Sequence, residues 1–578
     1  MLKPKAQQVA KSRYFINDHE DWEGLSNRVG RVAASVETNY ELQQEYAEKY
    51  AEMIYNMHFL CAGRILRNAD RPRGTLFNCY AKNIEDTIES IAYTAADAMV
   101  LWSDGGGVGF NASDMRPEDA PILQKGGESS GPISFLTGYN AFAETIKTGG
   151  ERRAAALALM KVSHPDIFKF INAKIHDGKL NNFNISVGVT EQFLDAVETD
   201  TDWDLRFNRK VYKTIRARDL WNSIMGNAIK YAEPGLINWD NLRSNNSYYF
   251  DTIVVPNPCG EVPLGNNGVC CLGSLVLPKF ITGTVNTNWK MLEQVIETAV
   301  RFLDNIINVN KYPDHIPGIK IKAMEGRRIG LGVMGMAEYL FAKKLRYGSP
   351  EAIESIERLM RNIRDFTYKA SIKLSAEKGS FPKYDTMPYS KAHFVKSLPN
   401  PIKMDIKKFG IRNVTLQAIA PTGTISLLPE VTSSAEPLPY KAYVRHDKIG
   451  DRAYIHEIYK ELIENDKPSP NWFVDSSDLS PEAHLETQVA IQKYTDGAVS
   501  KTILLPKGTG AAQLSELLLQ YIRDLKGTTC YVDGSRKGQI LVPIDRRLAK
   551  TFLKEEEDKI DTEADVETTE CAKGDCEI

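Results

Sequence analysis

The segment Asn257-Pro-Cys-Gly-Glu-Val-Pro-Leu264 places an amide, a thiol and a carboxylate at alternate positions, 257, 259 and 261. In an extended loop, residues two apart point to the same side. Asn257, Cys259 and Glu261 are therefore expected to converge on one ligand face. The set suits a reaction in which a thiol does one-electron or nucleophilic work, a carboxylate moves a proton and an amide positions the substrate. A small buried core cysteine in a proline-bounded loop satisfies the same spacing. Close behind comes Gly268-Val-Cys-Cys-Leu-Gly-Ser274, with adjacent thiols at 270 and 271.

The eight cysteines stand at 61, 79, 259, 270, 271, 530, 571 and 576. None forms a CxxC pair, so a zinc ribbon is not expected and no metal site is assigned. From Glu555 to Glu570 the chain holds nine acidic residues and one lysine, a composition that buries too little surface to order itself. This tether ends in Cys571-Ala-Lys-Gly-Asp-Cys576. A mobile tether with two terminal thiols suggests delivery rather than structure; a weak metal site or an unpaired exposed pair is the plainer reading.

Two further segments carry glycines where a ligand could come close. Ser103-Asp-Gly-Gly-Gly-Val-Gly-Phe110 follows a helical pattern and lacks the GxGxxG spacing, so a dinucleotide fingerprint is not expected. It reads either as a helix cap and tight turn or as bare backbone approaching a ligand. Pro421-Thr-Gly-Thr-Ile-Ser426 follows the apolar run Val414–Ala420. Its N–H and hydroxyl groups could cradle phosphate, and the same residues also make an ordinary turn.

The elements that must hold these residues read as α/β. Tyr40 to Met57 has helical spacing with Gly63 ending that stretch, and Glu89–Trp102 and Met291–Asn308 are helical as well. The short apolar runs Leu76–Ala81, Ala154–Val162, Phe183–Val189 and Val414–Ala420 read as strands between helices. The expected organisation is a mainly helical region over 1–70, an α/β catalytic domain over 71–550 and a flexible acidic tail over 551–578. With 578 residues, 42% hydrophobic and 25% charged, the chain can bury a large core without staples. The net charge of -3 provides no global field for nucleic acid. Met1 to Tyr14 is basic and polar, without the apolar centre of a secretory signal, and no run is long enough to span a bilayer, so a cytoplasmic protein without membrane partners is expected.

Taken in order, Leu76-Phe-Asn-Cys79, Gly105–Phe110, Ser130-Gly-Pro-Ile-Ser134, His164-Pro-Asp-Ile167, Asn182-Phe-Asn-Ile-Ser186, Asn257–Leu264, Leu272-Gly-Ser274, Arg327-Arg-Ile-Gly-Leu-Gly-Val-Met-Gly335, Ala420–Ser426 and Lys501-Thr-Ile503 resemble the blocks of the ribonucleotide reductase catalytic chain. Each block is weakly specific, but the ordered set is highly specific. The resemblance implies a ten-stranded α/β barrel with a central finger loop. It also implies that Cys259 is the thiyl radical that takes the 3′-hydrogen of a ribonucleotide, that Glu261 accepts the 3′-hydroxyl proton and that Asn257 bonds the ribose. Cys79 and Cys270 would supply two electrons as water leaves C2′, ending as a disulfide. Cys271 fills a slot where the family has asparagine, which leaves it as the other candidate partner.

By the same resemblance, Cys571 and Cys576 re-reduce that disulfide and are themselves reset by a thioredoxin- or glutaredoxin-like donor. Asn78, Gly107, Pro421, Thr422, Gly423, Thr424 and Ile425 would line the substrate site. Asp86 and Arg116 match positions that hold a nucleoside triphosphate effector, and Lys174–Leu180 the loop that relays effector identity; a surface salt bridge or a turn explains these residues equally well. Ser130–Ile146 matches a dimer helix, so a monomer or homodimer is expected. In Lys526-Gly-Thr-Thr-Cys-Tyr-Val-Asp-Gly-Ser-Arg536, Cys530 stands where subunit-dependent members have the first of two tyrosines, and only Tyr531 remains. The pattern is most similar to the adenosylcobalamin-dependent class II. A catalytic chain needing a separate radical-generating subunit, a non-catalytic nucleotide-binding relative and a zinc-binding structural protein are the competing readings.

Overall fold

Strands buried on both faces need nearly continuous apolar runs, and the chain supplies them. Ala156–Lys161 reads Ala-Leu-Ala-Leu-Met-Lys and buries every residue but the last. The computed structural model describes residues 2–123, 126–148, 152–175, 179–283, 285–447, 450–532 and 541–554. It divides into two compact units, Met1–Glu436 with Ser480–Ser535, and Pro437–Leu479 with Arg536–Ile578.

The first unit opens with helices α1 (Pro4–Arg13), α2 (Trp22–Ala34) and α3 (Tyr40–Tyr55). Asp21 and Asn39 cap α2 and α3 by accepting from the Gly24 and Leu42 amides. The expectation that Gly63 ends the third helix is corrected. The chain leaves α3 at Tyr55, turns through Met57 in the left-handed region (φ 55), and forms the short strand β1 (Phe59–Cys61). Gly63 instead opens a one-turn helix, Gly63–Asn68.

Apart from three small two-stranded ribbons, the strands of this unit that position the site are β2 (Cys79–Asn83), β3 (Gly107–Asn111), β4 (Ala156–Lys161), β5 (Phe183–Val189), β6 (Gly235–Asn238), β7 (Val255–Pro256), β8 (Pro263–Leu264), β9 (Val269–Cys270), β10 (Leu272–Val276), β11 (Gly330–Met334), β12 (Thr502–Leu505) and β13 (Gly527–Val532). Eight of them form one sheet in the order β9-β2-β3-β4-β5-β6-β13-β12. Strands β2 through β6 run parallel, as do β12 and β13, while β9 meets β2 and β6 meets β13 antiparallel. A second sheet has the order β1-β10-β11. Only Cys271 separates β9 from β10, so one stretch of chain joins both sheets. Val414–Ala420 forms no long ladder, but single parallel bridges tie Gln417 to Leu331 and Ile419 to Val499.

Helices pack against the strands. Thr87 caps α4 (Ile88–Ser103) through the Ser90 amide, and Gly105 at φ 90 ends it. Asn288 caps α6 (Trp289–Val309), which buries Leu292, Ile296, Ala299, Leu303 and Ile306 at helical spacing. Between them in sequence lies α5 (Gly131–Thr145). The second unit contains an antiparallel sheet with Ala442–Asp447 between Gly450–Ile455 and Leu541–Pro543, over a small core of Ala442, Ile463, Ala549 and Leu553. Among the described residues no helix is long and apolar enough to cross a membrane.

Candidate active site

Three prolines shape the segment that carries the exposed thiol. Pro256 and Pro263 pair across the β7–β8 hairpin, and Pro258 opens its tip. The Asn257 amide donates to the Val262 carbonyl at 3.1 Å, and the Val262 amide donates to Asn257 Oδ1 at 2.9 Å. The Gly260 amide closes the turn on the Asn257 carbonyl at 2.9 Å, with Gly260 at φ 85. The expected extended loop, with 257, 259 and 261 on one side, is therefore corrected: a tight turn intervenes. Cys259 is exposed at the tip, while Asn257 and Glu261 are 0% and 1% exposed at its base.

The hairpin passes close to strands on both sides. A Cβ on Gly109 would strike the Pro256 carbonyl, and one on Gly107 would sit 3.1 Å from Pro258 Cγ. Asn184 of β5 donates to the Pro258 carbonyl at 3.4 Å, and the Ala498 amide donates to the Glu261 carbonyl at 2.7 Å. The glycines of β3 thus receive the protein's own hairpin, the close backbone approach that the glycine-rich segment left open. The alternation Gly107-Val-Gly109 is the sequence signal for Gly109: one bare face on a strand. Asn184 and Ala498 carried no such signal.

Cys79 and Cys270 are register partners across β2 and β9, both buried, and the Cys270 thiol donates to the Cys79 carbonyl at 3.6 Å. Cys271 turns to the opposite face, where its thiol donates to the Leu303 carbonyl of α6 at 3.4 Å. The neighbouring Cys270 thiol, and then burial, hold the Cys79 thiol well above its ordinary range. Asn257 and Glu261 both lie close enough to Cys79 to influence it. Burial pushes the Glu261 carboxyl up to about 7, against a smaller downward pull from its own backbone amide and from Asn257. Yet Glu261 Oε2, Asn257 Nδ2 and Asn78 Oδ1 are buried with no partner in hydrogen-bond geometry. Three unpaired polar atoms around one hairpin are costly unless a polar ligand completes them.

Asn78 also fixes β3, because its carbonyl accepts from the Gly107 amide at 2.7 Å. In the 421–425 loop, Thr422 takes a positive φ of 49; its Oγ1 accepts from the Ser434 amide at 2.7 Å, and its carbonyl accepts from the Ser426 amide at 3.0 Å. Pro421 and Thr424 are half-buried, Ile425 is buried, and a Cβ on the exposed Gly423 would meet nothing within 4 Å. Ser434 Oγ, not anticipated from sequence, is another buried hydroxyl without a partner.

Asp86 and Arg116 are brought together, but with each other: Arg116 Nε reaches both carboxylate oxygens at 2.9 and 3.0 Å. They follow the C-terminal ends of β2 and β3, whereas Cys79 and Gly107 begin those strands. Cys530 is buried on β13, its thiol pushed up to about 12 by burial, beside the half-buried Tyr531. Cys571 and Cys576 lie outside the described residues, as do 176–178 of the 174–180 segment. No group of three or more metal-ligating side chains occurs among the described residues.

Residues 77–531 match the family model described as ribonucleotide reductase, barrel domain. A vitamin B12-dependent ribonucleoside-diphosphate reductase of Mycobacterium tuberculosis (strain CDC 1551 / Oshkosh) is 35% identical over 572 residues, covering 92% of this chain and 80% of the relative. One of the same name from Thermoplasma acidophilum is 34% identical, covering 86% of this chain and 66% of the relative. A ribonucleoside-diphosphate reductase subunit alpha of Chlamydia trachomatis is 26% identical, over 90% of this chain and 58% of the relative.

Proposed function

Because this chain belongs to the ribonucleotide reductase family, we propose that it is a catalytic chain converting ribonucleoside diphosphates to 2′-deoxyribonucleoside diphosphates with adenosylcobalamin. The observation that carries the reading is the Cys79–Cys270 register pair beside the hairpin that bears Cys259 and Glu261.

Cys259, as a thiyl radical, takes the hydrogen from C3′ of the ribose. Glu261 accepts the 3′-hydroxyl proton, which an acceptor with an acidity near neutral does well. The 2′-hydroxyl leaves as water with one proton from the dithiol, C2′ gains the dithiol's other hydrogen in its place, Cys79 and Cys270 give up two electrons and become a disulfide, and Glu261 returns its proton to the 3′-oxygen. Cys259 then returns its hydrogen to C3′. Asn257 and Asn78 present unpaired polar atoms to the ribose. The loop Pro421–Ile425, with Ser434 behind it, offers hydroxyls and open space to the diphosphate. The buried setting of Glu261 and the dithiol keeps water from the proton and electron transfers to the ribose.

Adenosylcobalamin fits what surrounds Cys259. The thiol is exposed at the hairpin tip, and a Cβ on Gly260 would meet nothing within 4 Å. The turn Pro258–Gly260 is the part of the chain that would face the cofactor. When bound, adenosylcobalamin supplies the radical that Cys259 receives. The buried Cys530 in place of a first tyrosine favours this source over a partner subunit.

The pairings also support a ten-stranded barrel around the hairpin. Following them, β10 leads to β11, then by bridges to Gln417 and from Ile419 to Val499, on through β12, β13, β6, β5, β4, β3 and β2 to β9, which continues into β10. The proposal extends to a nucleoside triphosphate effector at Asp86 and Arg116, whose mutual ion pair would have to open, and to re-reduction through Cys571 and Cys576 by a thioredoxin-like donor.

The test is anaerobic incubation of the purified chain with a ribonucleoside diphosphate and dithiothreitol, with and without adenosylcobalamin. Deoxynucleotide formed only with the cofactor supports the reading. Product formed only after adding a radical-generating subunit would move the chain to the subunit-dependent class, and no product at all would overturn the activity.

A further inference from the structure

Glu261 has an unpaired carboxylate oxygen, so its side-chain partners do little to fix where its charge sits. Its backbone is fixed instead. The Ala498 amide donates to the Glu261 carbonyl at 2.7 Å, and a Cβ on Gly497 would crowd that same carbonyl at 3.1 Å. The placement of the proton acceptor therefore depends on what holds residues 496–498.

Two buried charges hold them. Lys526, 0% exposed, donates from Nζ to the carbonyls of Asp496 at 2.7 Å and Gly497 at 2.8 Å. Asp496, also 0% exposed, accepts from the Leu416 amide at 2.9 Å, the Gln417 amide at 2.8 Å and the Tyr368 hydroxyl at 2.9 Å. The Gly497 amide completes the clasp on the Gln417 carbonyl at 3.0 Å. A lysine at the start of β13 and a carboxylate before Ala498 thus clamp one peptide between two strands of chain, and the next amide is the one that holds Glu261. Burial pushes the Lys526 ammonium down to about 7 and the Asp496 carboxyl up, so placing this pair in the interior is expensive, and hydrophobic residues of similar size often serve stability as well. The pair is therefore unexplained by stability alone.

We propose that Lys526 and Asp496 are positioning residues for Glu261, acting through the Gly497–Ala498 backbone to set the height of the proton-accepting carboxyl in the hairpin. This rests on the role of Glu261 proposed above. The ammonium fixes the carbonyl side of the 496–498 segment and the carboxylate fixes its distance from the 416–417 backbone. Displacing a reacting group by about 1 Å is enough to cost on the order of 100-fold in rate.

Amide hydrogen exchange on the full chain tests the clamp without turnover, in Lys526→Met and, as a second variant that keeps the side-chain volume, Asp496→Asn. In a folded variant, peptides covering 257–264 and 496–500 should lose about tenfold or more in protection, while the α6 peptides stay as in the parent. Single-turnover reduction should fall about 10- to 100-fold, with ribonucleoside diphosphate affinity within about threefold. The acid limb of the rate profile should also move to lower pH, because a loosened hairpin admits water to Glu261. The groups facing that carboxyl are Asn257 and Cys79, and neither variant changes them. In Lys526→Met, losing a cation for electrostatic reasons alone would move the limb upward instead, so this variant carries the pH test and Asp496→Asn is judged by exchange and rate. Unchanged hairpin protection in both variants overturns the inference. An inactive parent would sink the proposed activity and leave the exchange result to decide the clamp.

Discussion

Cys270, at the end of β9, and Cys271, the residue between β9 and β10, are sequence neighbours that face opposite sides of the chain, the first toward Cys79 in β2 and the second toward the Leu303 carbonyl of α6. Only Cys270 can exchange electrons with Cys79 without remaking the strand, because adjacent residues of a strand alternate between its faces. Cys270→Ser should abolish deoxynucleotide formation, whereas Cys271→Ser should leave turnover within about threefold of the parent. Thiol titration after one turnover decides the pairing: two thiols should vanish in the parent and in Cys271→Ser, and none in Cys270→Ser. Loss of turnover in Cys271→Ser with Cys270→Ser still active would reverse the assignment.

Burial raises the Glu261 pKa from 4.5 to about 7, so pH acts on both rate and stability. The proton acceptor must be ionised, and the reduction rate should fall as pH drops through about 7. Stability runs the other way. The folded state favours the neutral carboxyl, so the stabilisation is complete below pH 4.5 and is lost as pH rises through about 7. The loss is on the order of 3 kcal/mol for a fully buried group. Glu261→Gln should flatten that decline and unfold at higher denaturant than the parent at pH 8, while reducing no substrate. Parallel denaturant curves at pH 5 and pH 8 for parent and variant measure it. A parent whose stability does not fall over that interval would show that Glu261 is not buried as described.

The residues of this site were largely legible in the sequence, and their geometry was not. Spacing singled out Asn257, Cys259 and Glu261, the family resemblance singled out Cys79 and Cys270, and the structure brings the pair close to the hairpin that carries the other three. The alternating-face argument failed at 257–261 because Gly260, at φ 85, lets the chain reverse where an extended loop was expected. Helices with capping residues and apolar stripes, such as α4 and α6, were readable within a few residues. Val414–Ala420 reads as a strand by its apolar pattern, yet it carries only single bridges, and its backbone bonds run to Gly326, Ile329 and Leu331 and to Asp496–Ser500, all distant along the chain. Local pattern holds no record of such partners. Lys526 and Asp496 were invisible for the same reason: a buried lysine is recognised by what surrounds it, and nothing in the sequence around Lys526 names residues 496–498.

The hairpin exists where it does because β3 presents two glycines to it. Gly109→Ala places a methyl group against the Pro256 carbonyl, a backbone atom that cannot step aside as a flexible side chain would. Overpacking of this kind costs about 1–3 kcal/mol. The larger effect should be on activity, since the displaced segment carries Asn257 and Cys259. Thermal unfolding and single-turnover reduction, measured together, should show a modest loss of stability and at least about a 100-fold loss of rate. Full activity in this variant would mean that the hairpin does not run past β3.

Gly423 tests the phosphate loop from the opposite starting point, because nothing lies within 4 Å of the Cβ that Gly423→Ala would add, and its backbone lies outside the left-handed region. The substitution should therefore leave folding and melting temperature as they are. If the Pro421–Ile425 loop holds the diphosphate, the new methyl group occupies space the substrate needs. The loss is then one of binding common to ground and transition states, which raises KM and leaves kcat close to its parent value. An increase of about tenfold in KM, the equivalent of roughly 1.4 kcal/mol, is expected. The same variant should bind a nucleoside lacking phosphates as the parent does. Steady-state kinetics with the diphosphate and equilibrium binding of the nucleoside separate the cases. An unchanged KM would place the diphosphate elsewhere, and equal weakening for both ligands would mean that the methyl group crowds the ribose or the base.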